Sequence, residues 1–121
     1  MYSAIALLLA AGSAVSDRDA NDAVMYIQSV STPALFEVCK VVEPESSGEY
    51  DNILSLWSKK HKYTVARGER AVRREAERDG SDVDLMLKLE IESMVSELKE
   101  LPAQEQRDRC KYIMEVVRSE T

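Results

Sequence analysis

Apolar positions fall into two patterns along the chain: a solid block at the start, then steps of three and four through most of the remaining length. The block, residues 4–11, contains only Ala, Leu and Ile, and Gly12-Ser13-Ala14-Val15-Ser16 separates it from the first charge at Asp17. Steps of three and four return side chains to one face of a helix, so the chain beyond the block reads as a series of amphipathic helices. A first short helix is expected over 21–30, where Ala23, Val24, Tyr26, Ile27 and Val30 are apolar. Thr32-Pro33 then predicts a fresh start, because threonine caps free amide groups and proline suits a first turn. The next helix carries Leu35, Phe36, Val38, Cys39 and Val42, and Pro44 ends it.

Ser46-Ser47-Gly48-Glu49 fits a capping box, in which Ser46 accepts from the Glu49 amide and the glutamate reaches back. A long helix is expected from there to Asp79, with Tyr50, Ile53, Trp57, His61, Thr64 and Gly68 on one face. Asp79-Gly80 closes it, since glycine takes the left-handed conformation common just past a helix end. Ser81 or Asp82 caps the next helix, whose broad apolar stripe from Leu85 through Met94 to Leu98 predicts the central element of the fold. Leu101-Pro102 opens a final helix through Arg118, with Gln106, Cys110, Ile113, Met114 and Val117 inward. The expected fold is therefore all-α: a small bundle of four to five helices, one of them long. Only 4 Gly and 3 Pro are available for turns, too few for a chain of many short strands.

The block and the residues after it match the apolar core and small-residue cleavage zone of a secretory signal peptide, with Ala14 and Ser16 at the minus-three and minus-one positions. Residues 1–16 are expected to be this leader and 17–121 a single helical domain, periplasmic or secreted. A spanning helix needs about 20 apolar residues, so no stable membrane anchor is expected. Two cysteines remain, Cys39 and Cys110, both on inward faces. In an oxidising compartment they are expected to form one disulfide that closes the bundle. Zinc or redox chemistry has little to draw on, because there is no CxxC pair and only one histidine.

The chain has 16 basic and 22 acidic residues, a net charge of -6, which argues against nucleic-acid binding. The charges are uneven. Lys59, Lys60, Lys62, Arg67, Arg70, Arg73, Arg74 and Arg78 dominate one segment, and eight acids dominate 79–105. The simplest reading is neutralisation across a helical hairpin around Gly80. The functional alternative is a basic ridge for an acidic partner, with Arg67, Arg70, Arg73 and Arg74 as its contacts.

Catalytic signatures are missing: the chain carries no phosphate-binding glycine loop, no HExxH helix and no GxSxG elbow. His61 stands among lysines and reads as a boundary residue of the helix face, Trp57 as a core anchor, and Gly68 as a place of close helix approach or bending. No enzymatic activity and no cofactor or metal are expected. Cys39, then Tyr50, Trp57 and Gly68 along one helix, then Cys110 in the last, resembles the arrangement in small uncharacterised helical proteins exported to the bacterial periplasm. Small disulfide-bonded periplasmic domains include immunity proteins that block a rival's toxin. The resemblance implies an exported protein-binding module of inhibitor or immunity type, and it transfers no binding residue. The alternative is a structural or stress-related envelope protein with no dedicated partner, self-associating as a homodimer.

Overall fold

The computed structural model describes residues 17–121, and the leader expected over 1–16 lies outside them. Five helices succeed one another without strands among the described residues: α1 Asp17–Val42, α2 Ser47–Lys60, α3 Lys62–Asp79, α4 Val83–Glu100 and α5 Ala103–Ser119. The disulfide Cys39–Cys110 joins the end of α1 to α5. The chain is thus an all-α bundle closed by one crosslink.

Two expected boundaries moved. Thr32-Pro33 does not restart the chain; Pro33 lies inside the 26-residue α1. Proline withholds the amide that would bond the Ser29 carbonyl, at a cost of about 3 kcal/mol in a helix interior. Ile27 lies buried before the proline, and Leu35 and Phe36 after it. Each such side chain contributes about 1.5–3 kcal/mol by leaving water, so a continuous helix that buries all three outweighs the local defect. The expected long helix over 46–79 is instead divided at His61, which takes φ −102° and ψ 11°. Backbone bonds from His61 N to the Trp57 carbonyl and from Val65 N to the His61 carbonyl carry the chain round the bend. The bend lets α2 pack on α5 and α3 on α1.

The start of α2 also differs from the capping box. Ser46 makes no side-chain cap bond, and a short 3₁₀ turn over Pro44–Ser46 supplies the entry, with the Ser47 amide bonded to the Pro44 carbonyl. Glu49 turns outward to an ion pair with Arg118. Other punctuation is as the sequence predicts. Gly80 has φ +71°, and the Ser81 amide reaches back to the Ala76 carbonyl at 2.8 Å. Asp82 caps α4 by accepting from the Leu85 amide at 3.1 Å.

The central element is α1, not α4. Its C-terminal half shares a core with Tyr50, Trp57, Met94, Leu98, Cys110 and Met114, and its N-terminal half shares a second with Val72, Ala76, Val83 and Leu87. On α4 the stripe is narrower than expected, for Leu85 and Leu89 are 51% and 56% exposed. Helices α1 and α3 approach closely at Gly68. A β-carbon there would fall 2.6 Å from the Asp22 carbonyl carbon and nearer still to its oxygen.

Candidate functional site

The basic segment lies along α3, and the structure divides its four candidate arginines. Arg67 reaches back to α1, where its Nε donates to Asp22 Oδ2 at 3.0 Å and its second nitrogen to Oδ1 at 3.4 Å. Asp22 is only 4% exposed, so this pair works inside the α1–α3 contact. Arg73 is held from two sides, by Glu69 one turn earlier and Asp84 on α4, each at 3.1 Å. Those bonds, Asp84's first, raise the guanidinium above its ordinary value. Arg73–Asp84 is the one ion pair crossing the Gly80 turn among the described residues. Neutralisation across the hairpin is therefore confined to one contact, and α1 takes the share expected of α4.

Arg70 and Arg74 stand differently. Both are exposed. Arg74 makes a loose 3.8 Å pair with Asp19, and Arg70 has no carboxylate within ion-pair distance among the described residues. Tyr63, 76% exposed, lies seven positions before Arg70 and eleven before Arg74, so all three project from the same side of α3. The Lys62 ammonium lies 5.9 Å from the Tyr63 ring centre.

A second feature lies among α1, α4 and α5. Cys39–Cys110 at one end and a bond from Gln28 to Glu120 at the other set α5 antiparallel to α1. Core sharing of Val83 and Leu87 with Ala23 and Ile27, and of Leu98 with Leu35 and Cys39, sets α4 parallel to it. Between them runs a groove of about 520 Å³. Leu35, Met94, Leu98, Ile113 and Val117 line it, with Ser31 and Thr32 from α1 and with Glu97 and Arg109 from the two walls.

One end of the groove meets a polar cluster. Glu120 Oε1 accepts from Gln28 Nε2 and, at 3.1 Å, from Trp57 Nε1. The Glu120 carbonyl accepts from His61 Nε2 at 2.7 Å, while the His61 ring packs 4.9 Å from that of Trp57. His61 thus sits at the bend and bonds the residue that caps α5, and Trp57 is a buried anchor whose polar edge is satisfied.

Among the described residues no cluster of three or more His, Cys, Asp or Glu side chains forms a metal site, and no helix is long and apolar enough to cross a membrane. Sequence reasoning missed Tyr63, Gln28, Ser31 and Thr32. The signal for the last three was present: polar residues on the inward stripe of α1, hidden by reading Thr32 as the start of a helix.

Fold and crosslink define a class, the small all-α domain closed by a single disulfide, suited to an oxidising compartment. The chain matches no protein-family model, no curated protein and no solved structure.

Proposed function

We propose that this is an exported, non-enzymatic protein-binding module of inhibitor or immunity type, acting in the periplasm or outside the cell. The carrying observation is the exposed stripe Tyr63–Arg70–Arg74 on α3. Tyr and Arg are the residue types that dominate binding hot spots. Here they form a locally basic face on a chain whose net charge is -6, so the partner it suits presents acid. Arg74's hold on Asp19 is exposed and worth about 0–1 kcal/mol, which leaves it free to change partners. Arg67 and Arg73 each make two hydrogen bonds to carboxylates of this chain and are not expected to carry contacts of their own.

The oxidised protein, immobilised, is expected to capture a specific protein from periplasmic extract. Titration of that protein after purification should give an affinity that weakens as salt rises from about 50 to about 300 mM. The double substitution Arg70→Glu and Arg74→Glu should weaken it at least tenfold while leaving the unfolding midpoint within a degree or two. Undiminished binding by that variant would refute the assignment. A stable dimer by light scattering, with nothing captured, would favour the self-associating envelope protein instead, with Leu85 and Leu89 on the outer face of α4 as its contact.

A further inference from the structure

We infer that the groove among α1, α4 and α5 binds a small uncharged amphiphile: a mostly apolar molecule with one hydroxyl or carbonyl oxygen, which enters oxygen first. This site is separate from the ridge on α3 and stands or falls independently of it. Its volume, about 520 Å³, lies within the range of small-molecule sites, roughly 300–1,000 Å³. From Gln28 to Leu35 the lining on α1 spans seven residue steps, about 10 Å at the rise of an α-helix. The walls carry the apolar side chains of Met94, Leu98, Ile113 and Val117, with Glu97, Arg109 and Tyr112 beside them.

The floor decides the chemistry. Ser31 and Thr32 are 3% and 5% exposed, yet neither hydroxyl has a hydrogen-bond partner among the described residues. No fully enclosed side-chain oxygen or nitrogen lacks a partner among the described residues, so these two hydroxyls keep some access, and both residues line the groove. A purely apolar occupant would seal them off at about 1–3 kcal/mol each, whereas an occupant that brings an oxygen to the floor satisfies them. That same cost disfavours a partner helix, whose leading side chains in such a groove are apolar anchors. Glu97 and Arg109 stand on opposite walls with opposite signs, so the mouth asks for no net charge on the ligand.

The test is methyl NMR on the oxidised protein, titrated in parallel with 1-octanol, octanoate, octylammonium and an amphipathic helical peptide. 1-Octanol is expected to shift the methyl signals of Leu98, Ile113 and Val117 saturably and to leave Val72 still. It should bind at least fivefold more tightly than either charged probe. Replacing the floor hydroxyls by shape, with Ser31→Ala and Thr32→Val together, should weaken octanol at least fivefold without lowering the unfolding midpoint. Val116→Trp at the rim should block the shifts altogether with the disulfide intact. No saturable shift with octanol, or undiminished affinity in the floor variant, would overturn the proposal. So would tighter binding of a charged probe, or saturation by the peptide alone.

Discussion

Gly68 shows how much one missing β-carbon decides. It lies where α3 crosses the backbone of Asp22, and the Tyr26 β-carbon would stand 3.0 Å from any side chain added there. The obstacle on the other side is main chain and cannot swing away, so Gly68→Ala must push α3 off α1. Overpacking a tight contact costs about 1–3 kcal/mol. Parting these helices also lengthens the Arg67–Asp22 bonds, which bury a carboxylate beside its partner. We expect the upper end of that range despite alanine's better helix propensity, worth about 1 kcal/mol in the opposite direction. Urea unfolding checks it; a variant as stable as the parent would mean that the helices are not in close contact at this point.

Tyr50 gives the fold a signature at alkaline pH. Its ring is fully buried, edge-on to Phe36 at 4.9 Å, and its hydroxyl donates to Glu43 at 3.1 Å. Burial first, and then that bond to a carboxylate, hold the phenol well above its usual value. An unfolded tyrosine loses its proton near pH 10. Below that pH both states keep the proton and the contribution to stability is complete. Above it the unfolded chain releases the proton while the native one retains it, so stability falls as pH rises towards the native value. Tyr50→Phe removes both the hydrogen bond and the titration. It should cost about 1.5–3 kcal/mol at pH 8, the range for a bond to a charged group, with the gap to the parent closing above about pH 10. The comparison cancels Tyr26, which burial and the neighbouring Glu69 also push up, because both proteins retain it. A gap that stays constant to about pH 11 would place the Tyr50 hydroxyl in contact with water.

At the scale of elements, boundaries set by local chemistry are legible in the sequence and those set by packing are not. Gly80 and Asp82 act on amides within a few residues, so the turn between α3 and α4 is written where it occurs. Pro33 and His61 escape a local reading for one reason, in opposite directions. Proline's local penalty is real, yet the core on either side of it holds α1 together. Nothing near His61 breaks a helix; what stands at the bend is a side-chain bond to Glu120, 59 positions away. The candidate site divides likewise. That α3 is basic is plain from its residues, but the burial of Asp22 beneath Arg67 depends on a contact 45 positions apart. What remains as a face, Arg70 and Arg74 with Tyr63, is what those internal contacts leave over. The groove is legible only with α1 unbroken, since Gln28, Ser31 and Leu35 fall on one side of a helix that continues past Thr32.

For the whole molecule, the bond between Cys39 and Cys110 encloses α2, α3 and α4 in a loop of 71 positions. Both cysteines are fully buried beside Phe36 and Trp57, and their α-carbons stand 5.6 Å apart, an ordinary spacing for a disulfide. Loop closure on this scale is worth roughly 4 kcal/mol by the chain-entropy argument. Set against a net stability of about 5–15 kcal/mol for a domain, that is a large share. Replacing both cysteines with alanine should therefore lower stability by about 2–4 kcal/mol in urea unfolding, the lower figure allowing for structure that survives in the unfolded chain. The same bond fixes one end of the antiparallel α1–α5 pair, and so the spacing of the groove between floor and wall. The alanine variant, at temperatures where it stays folded, should bind 1-octanol more weakly than the parent even though neither cysteine lines the groove. Thiol labelling tests the premise directly: the native protein should release no reactive thiol without reductant, and two only after denaturation with it. Two free thiols in native material, or an alanine variant as stable as the parent, would remove the crosslink from the account of both the fold and its compartment.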